Sequence, residues 1–124
     1  MRAELASLVS SGKKDLAIVD VRNADEFAGQ RTEAKKPGHI PGSVNIPWTR
    51  FFDEKGQLLG AEGIKEVFKQ FGITPAKELV FVSNKGVRSG YVTFAALKSG
   101  FSARNYDGGL WEWSFDGSLP LEVK

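Results

Sequence analysis

One segment decides the fold class of this chain, because it joins a buried strand to a helix through a short polar loop. It consists of Leu79-Val80-Phe81-Val82-Ser83-Asn84-Lys85-Gly86-Val87-Arg88-Ser89-Gly90. The first four residues form a continuous apolar run, which is typical of a buried parallel strand. Apolar residues at helical spacing follow over residues 91–97. The segment therefore predicts a strand and a helix, with the loop at the carboxyl end of the strand.

The position and composition of this loop predict an anion-binding site. Ligands bind at the carboxyl ends of the strands in open α/β sheets. A helix that begins at this edge offers unpaired N–H groups and the positive end of its dipole. Lys85 and Arg88 add two cationic side chains. They could instead be solvated loop charges, but their place after a buried strand, with Gly86 between them, favours anion binding.

The rest of the chain alternates helices with strands around this segment. Helical spacing and capping signals predict helices over residues 3–9, 24–27 and 61–71. Apolar runs predict further strands over residues 16–21, 43–46 and 103–106. Residues 29–42 are polar and interrupted by Gly and Pro, which predicts a long surface loop of the kind that often carries function. The alternation predicts an α/β domain with a mainly parallel central sheet and helices on both faces.

The composition is that of an ordinary globular protein, and it argues against several other classes of protein. Its 124 residues suffice for one core, so we expect a single domain over residues 1–124. A net charge of +2, from 17 basic and 15 acidic residues, argues against nucleic-acid or membrane binding. No apolar run approaches the roughly 18 residues of a membrane span. The N-terminus also lacks the apolar core of a signal peptide, so we expect a cytoplasmic location.

The absence of cysteine narrows the chemistry further. With no Cys and one His, the chain has no disulfide, no thiolate metal site and no credible zinc site. We therefore expect no metal. The same absence removes any thiol nucleophile.

Four motifs, in order along the chain, carry a resemblance to a known family. They are Val19-Asp20-Val21-Arg22 with Glu26; Gly38-His39-Ile40-Pro41-Gly42-Ser43-Val44-Asn45-Ile46-Pro47-Trp48; the loop from Ser83 to Ser89; and Tyr106-Asp107-Gly108-Gly109-Leu110-Trp111-Glu112-Trp113. Their order and spacing resemble the rhodanese (sulfurtransferase) family, which implies a rhodanese-like fold. In that family a Cys opens a six-residue active-site loop. Here Ser83 stands at the position of that Cys.

The resemblance implies a thiosulfate sulfurtransferase that works through a Cys persulfide and uses no cofactor. The implied donor is a small anion such as thiosulfate, because thiosulfate-using members carry a Lys where this chain has Lys85. The implied acceptor is a thiol or cyanide. Such transfer needs a thiolate. A Ser hydroxyl cannot form a persulfide, so we expect the chain as written to be inactive.

The resemblance also assigns roles to individual residues. Ser83, at the position of the nucleophile, and Arg88, which closes the loop, are the catalytic positions. The substrate-binding residues of the loop are Asn84, Lys85, Gly86, Val87 and Ser89. Trp111 is expected near the mouth of the site, in a supporting role.

Polar residues outside the loop are expected to have mainly structural roles. Asp20 and Arg22 are expected to support the site by orienting the loop through an ion pair, although a purely structural salt bridge is favoured over a catalytic role. His39 lies in a Gly-Pro turn, where hydrogen bonding of the turn explains it better than general-base catalysis. Arg31, Lys35 and Lys36 could attract an anionic donor, but such charges usually form a solvated surface.

Two origins of Ser83 and two alternative functions of the chain stay open. An engineered Cys-to-Ser replacement is favoured over natural loss, because it is isosteric and the loop keeps Lys85, Gly86, Arg88 and Ser89. The alternative function is a naturally non-catalytic module that holds an anion or a partner's acidic side chain. A phosphatase relative is disfavoured, because Ser83 to Arg88 encloses four residues where related dual-specificity phosphatase loops enclose five. The chain starts almost at its first helix, where the family usually has a strand, so we expect it to come from a longer tandem or fused protein.

Overall fold

A parallel sheet forms the centre of the chain. The structure is a computed structural model that describes residues 2–11 and 15–123. Within these residues the sheet has the strands β1 (Leu16–Asp20), β2 (Val44–Asn45), β3 (Glu78–Val82) and β4 (Ser102–Asn105), in the order β2-β1-β3-β4. Each neighbouring pair is parallel, which confirms the prediction of a mainly parallel sheet.

Helices cover both faces of this sheet. They are α1 (Arg2–Ser11), α2 (Ala24–Phe27), α3 (Ala61–Gln70), α4 (Val87–Lys98) and α5 (Gly109–Phe115), and a 3₁₀ turn covers Trp48–Phe51. On one face, side chains of α3 and α4 pack against Val19 and Phe81. On the other, side chains of α1 and α5 pack against Ile18 and Val80. Alternate residues of β1 and β3 thus point to opposite cores, and the predicted α/β class is confirmed.

Helix α4 begins earlier than the sequence pattern predicts. It starts at Val87 rather than at residue 91, so the loop between β3 and α4 is only residues 83–86. Gly86 makes this possible with a φ of +85°. A Cβ at this position would lie 2.6 Å from the carbonyl oxygen of Asp107, so only glycine allows the loop to turn this close to its neighbour.

Helix α5 is an element that the sequence pattern does not predict. The pair Gly108-Gly109 signals a turn, and Gly108, the N-cap residue, has no side chain that could cap the helix. The structure caps the helix by a tertiary contact instead. The amides of Leu110 and Trp111 donate to the carbonyl oxygens of Ser83 and Asn84, at 2.8 and 3.0 Å. These bonds satisfy N–H groups that a helix start leaves without an internal partner.

The long loop over residues 29–42 is confirmed, and its end is fixed by buried contacts. His39 and Glu122 exchange two backbone hydrogen bonds of 2.8 Å. Arg22 donates to the carbonyl oxygen of Gly38, also at 2.8 Å.

Among the described helices, none has the length and apolarity needed to cross a bilayer. The cytoplasmic location stays a prediction.

We expect Gly109→Ala to lower the free energy of unfolding by about 2–4 kcal/mol, the sum of left-handed strain and steric overlap. Gly109 has a φ of +61°, and a Cβ there would lie 2.4 Å from the carbonyl oxygens of both Ser83 and Asn84. Urea unfolding measures the change. Gly117→Ala is the matched control, because its nearest heavy atom would be Lys36 Nζ at 3.9 Å. Equal effects of the two substitutions would contradict the assigned packing of α5 on the loop.

Candidate anion-binding and catalytic site

The loop that follows β3 places Ser83 at the base of α4. Ser83 is buried, with 1% of its surface exposed. Its Oγ lies 2.9 Å from the Oγ of Ser89 in the first turn of α4. The backbone N–H of Ser89 also donates to Ser83 Oγ, at 3.3 Å. An atom at the Oγ position therefore receives a hydrogen bond from the helix N-terminus, where partial positive charge concentrates.

Three carbonyl groups of the loop accept hydrogen bonds, while most of its amides donate none within the described chain. Ser83 and Asn84 accept from α5, as described above, and Gly86 accepts from Asn105 Nδ2 at 3.0 Å. Within the described part of the chain, the N–H groups of residues 84–88 donate no backbone hydrogen bond. Successive free amides at the start of a helix are the usual way in which proteins bind anions. The loop therefore offers several free donors to an anion, and its binding of an anion stays a prediction.

A cavity of about 290 Å³ opens over this loop. Its lining brings together one residue that was not predicted, Glu33, and five that were: Ser83, Asn84, Lys85, Val87 and Arg88. Lys85 is exposed. Arg88 is half-buried and bonded to the carboxylate of Glu26, at 3.1 Å. Because that carboxylate offsets the charge of Arg88, Lys85 is the cation of this lining that keeps its charge for a ligand.

Glu26 belongs to the first of the four motifs, but sequence reasoning gave it no role in the site. It is fully buried, although it sits on the four-residue helix α2. Its carboxylate accepts from Asn84 Nδ2 at 2.7 Å, from Arg88 Nη1 at 3.1 Å and from the amide of Asn23 at 3.2 Å. Glu26 therefore joins both ends of the loop to α2. The sequence signals only a helix start at Asn23, and nothing in it shows that the carboxylate reaches residues 58 and 62 positions further along.

Burial and hydrogen bonding act on Glu26 in opposite directions. Burial by itself would raise the pKa of the carboxyl group. The hydrogen bonds from Arg88 and Asn84, the charge of Arg88 and the amide of Asn23 outweigh burial, and the pKa lies below its ordinary value of 4.5. Glu26 is therefore charged throughout the neutral range, and its charge stabilises the folded loop.

We expect Glu26→Gln to lower the free energy of unfolding at neutral pH by about 1–3 kcal/mol, because Arg88 and Asn84 lose a charged acceptor. A depressed pKa stabilises the fold above the unfolded-state value and loses that contribution as pH falls through the folded-state value. The difference between the two proteins should thus shrink below pH 4.5. Urea unfolding at several pH values tests this.

The exposed substitution Glu62→Gln on α3 serves as the control, and it should change the free energy of unfolding by less than about 0.5 kcal/mol at neutral pH. If the cost of Glu26→Gln stayed constant or grew towards acid pH, the assigned role of the charge would be wrong.

Trp111 lies at the rim of the site, next to Lys85. Its side chain is 45% exposed, and Lys85 Nζ lies 5.1 Å from the centre of its ring. This is the geometry of a cation–π contact. A second cavity, of about 420 Å³, lies on the other side of Lys85 and is lined by Trp111, Phe115 and Arg2 among others. Trp113, by contrast, is fully buried in the core.

Asp20 and Arg22 form a buried ion pair, with Arg22 Nη2 2.7 Å from Asp20 Oδ2. Both are at most 1% exposed. In the described chain neither forms a side-chain hydrogen bond with the loop over residues 83–89. Arg22 instead contacts Gly38 in the long loop. The pair thus has the geometry of a structural salt bridge, and an effect on the active-site loop stays a prediction.

His39 has structural contacts. Its ring stacks on Phe27 with centroids 3.7 Å apart, and Nδ1 lies 2.8 Å from the carbonyl oxygen of Phe27. These contacts agree with hydrogen bonding of the turn.

The long loop contributes a carboxylate to the cavity. Arg31, Lys35 and Lys36 are absent from the cavity lining, which contains Glu33. Arg31 is bonded to Glu33 at 2.8 Å, and Lys35 lies over the ring of Phe115. Nothing in the polar stretch 29–42 distinguishes Glu33 from its neighbours, so the sequence could not identify it.

Comparison with protein families assigns most of the chain to one domain type. The model of the rhodanese-like domain matches residues 1–116. Two curated relatives are thiosulfate sulfurtransferases, one from Pseudomonas aeruginosa and one from Azotobacter vinelandii. They are 37% and 36% identical to the chain over 113 residues, which is 90% of the chain and 42% of each relative. The chain thus spans less than half the length of the curated relatives it matches.

Solved structures give the same answer for the fold. An anaerobic ergothioneine biosynthesis enzyme from Chlorobium limicola, in complex with trimethyl histidine, matches with a TM-score of 0.86 and 26% identity. The match covers 98% of this chain and 31% of that one. A structure of EanB that carries a cysteine persulfide, with ergothioneine, matches with a TM-score of 0.86 and 27% identity, again over 98% of this chain and 31% of the other.

Proposed function

The chain belongs to the rhodanese-like domain family, and on that premise we propose that Ser83 stands where an active sulfurtransferase carries its nucleophilic Cys. With Cys at this position the domain would move a sulfane sulfur from thiosulfate, or a related anionic donor, to a thiol or cyanide. With Ser83 it is inactive in transfer. The curated relatives are named thiosulfate sulfurtransferases, which supports the reaction type.

The transfer would take place in two balanced steps. The Cys thiolate attacks the outer sulfur of thiosulfate, a new S–S bond forms to the Cys, and sulfite leaves with the electron pair of the broken bond. Cyanide or a thiolate then attacks the outer sulfur of the persulfide. The S–S bond of the persulfide breaks, and the Cys thiolate leaves with the electron pair of that bond. Neither step needs an external oxidant or reductant, so the protein has only to stabilise anions.

The observation that carries this proposal is a complete anion cradle around a residue that cannot use it. The free amides of residues 84–88, the N-terminus of α4 and Lys85 all lie around position 83. A serine hydroxyl stays protonated at neutral pH and is therefore a poor nucleophile. No described residue acts as a base on Ser83, because its Oγ forms hydrogen bonds only with Ser89. We attribute Ser83 to a replacement of Cys that left the surrounding cradle unchanged.

The direct test is persulfide formation on the Ser83→Cys variant. The variant is incubated with thiosulfate, the excess is removed, and the intact mass is measured before and after treatment with cyanide. We expect a gain of one sulfur atom that cyanide removes, and no gain for the chain with Ser83. Because the sequence contains no other Cys, any added sulfur can be assigned to position 83. No gain with thiosulfate or with a persulfide donor would refute the enzymatic proposal.

A non-catalytic anion-binding module is the second candidate, and one observation favours it. The cradle is fully formed although the nucleophile is missing, since Glu26 still joins Asn84 and Arg88. Such a module would bind anions equally well with Ser or Cys at position 83. Calorimetric titration of both proteins with sulfate tests this. Equal sulfate affinity, together with no persulfide on the Cys variant, would select the module over the enzyme.

We also propose that residues 1–124 form a single rhodanese-like domain. The family match over residues 1–116 supports this proposal. Membership in a longer tandem or fused protein stays a prediction.

A further inference from the structure

The cavity over the loop has two charges of opposite sign, and this polarity suggests its ligand. Lys85 and Glu33 both line the same space of about 290 Å³. A carboxylate in this position weakens the binding of a dianion such as thiosulfate by direct repulsion. The same carboxylate attracts a ligand that carries an ammonium group as well as an anionic group.

The carboxylate of Glu33 is accessible to such a ligand. Its partner is Arg31, whose Nη2 lies 2.8 Å from Oε2, and both side chains are more than half exposed. Ion pairs of this kind are weak and are readily exchanged for other partners. Arg31 does not line the cavity, so a ligand ammonium would approach Glu33 from the opposite side.

Asn84 lines the same cavity, but the oxygen of its side chain is buried. Asn84 is 7% exposed, and its Nδ2 is committed to Glu26 at 2.7 Å. Its Oδ1 has no hydrogen-bond partner among the described residues. Thiosulfate has no N–H or O–H group at neutral pH, so it leaves the carboxylate of Glu33 unused.

We propose that this cavity binds a zwitterionic sulfur compound, namely an α-amino acid that carries a thiol or persulfide. Its ammonium group would bond to Glu33, and its carboxylate would pair with Lys85. The sulfur would then lie near position 83. The inference rests on the proposed function in taking the cavity for the place where the sulfur acceptor or donor binds.

The test compares three thiols that differ in their charged groups. L-cysteine carries both groups, 3-mercaptopropionate lacks the ammonium and cysteamine lacks the carboxylate. Titrations followed by ¹⁵N NMR use the chain with Ser83, which contains no Cys and so cannot form mixed disulfides with the probes. We expect L-cysteine to bind about three- to fivefold more tightly than 3-mercaptopropionate, the range of one exposed ion pair.

Two single substitutions should shift this ratio in opposite directions. Glu33→Gln should bring the two affinities together and, in the same experiment, strengthen thiosulfate binding by about threefold. Arg31→Gln frees Glu33 and should enlarge the preference for L-cysteine. Both side chains are more than half exposed, so neither change threatens folding.

The proposal is wrong if 3-mercaptopropionate binds as tightly as L-cysteine, if Glu33→Gln leaves the ratio unchanged, or if none of the three thiols binds. These outcomes are independent of the catalytic proposal, which depends on persulfide formation by the Ser83→Cys variant.

Discussion

The Ser83→Cys variant should turn over thiosulfate and cyanide with a rate constant in the usual enzymatic range of about 1–10³ s⁻¹, whereas the chain with Ser83 shows none. The formation of thiocyanate and sulfite measures the reaction. The expected gain is large because a single atom changes from an oxygen that stays protonated to a sulfur that ionises readily. No other feature of the cradle has to move.

The surroundings of position 83 should favour the thiolate form of the introduced Cys. It would sit at the base of the twelve-residue helix α4, and its sulfur would receive the hydrogen bond that Ser89 N now donates to Ser83 Oγ. Helix N-termini and nearby cations lower the pKa of a Cys below its usual value of about 8.5. Alkylation rates against pH should therefore show a thiolate already present at neutral pH.

A second substitution separates chemistry from donor binding. In the Ser83→Cys background, Lys85→Gln should raise the KM for thiosulfate about three- to tenfold, because the ligand loses the cation of the cavity lining that no carboxylate offsets. The variant should still form a persulfide when thiosulfate is saturating. A variant that binds thiosulfate but forms no persulfide at any pH would show that the loop does not activate a thiol, and would leave anion binding as its function.

The sequence predicted the parts of the fold that depend on local pattern. The apolar run before Ser83, the helical spacing of Ile64, Val67 and Phe68, and the Asn23 cap each correspond to an element in the structure. It did not predict α5, because the groups that satisfy its first amides are carbonyls of another loop. A cap formed by residues distant in the chain leaves no local sequence signal.

The same reason explains what sequence reasoning missed in the site. The loop residues were identified because they are consecutive and resemble a family motif. Glu26 and Glu33 come from a short helix and a long loop, and only the fold brings them to the cavity and its loop. The sequence favoured a solvated surface for Arg31 and its basic neighbours, and it did not show that Arg31 pairs with a carboxylate of the cavity lining, Glu33.

The largest expected loss of stability comes from breaking the ion pair of Asp20 and Arg22. Either Asp20→Asn or Arg22→Met should lower the free energy of unfolding by about 3–5 kcal/mol, because each leaves a buried charge without its partner. The geometry is close to ideal for such a pair. Arg22 Nε lies 3.0 and 3.1 Å from the two carboxylate oxygens, and Nη2 lies 2.7 Å from Oδ2.

The double variant should cost much less than the sum of the two single substitutions. When both substitutions are present, neither charge of the pair is left in the core, and replacing a buried pair by uncharged groups of similar size is often close to neutral. Urea unfolding of the four proteins gives the coupling energy. If a single variant fails to fold, the double variant should still fold, which preserves the comparison. Simple additivity of the two costs would show that the pair contributes no interaction energy.

The pair also determines how firmly the long loop is held against the sheet. Arg22 Nη2 donates to the carbonyl oxygen of Gly38 at 2.8 Å, and the chain that leads back from Gly38 carries Glu33 to the cavity. Arg22→Met should therefore increase hydrogen exchange in residues 29–42, while the exposed control Glu62→Gln on α3 should not. If exchange in this loop stays unchanged although stability falls, the pair stabilises the core without positioning the mouth of the site.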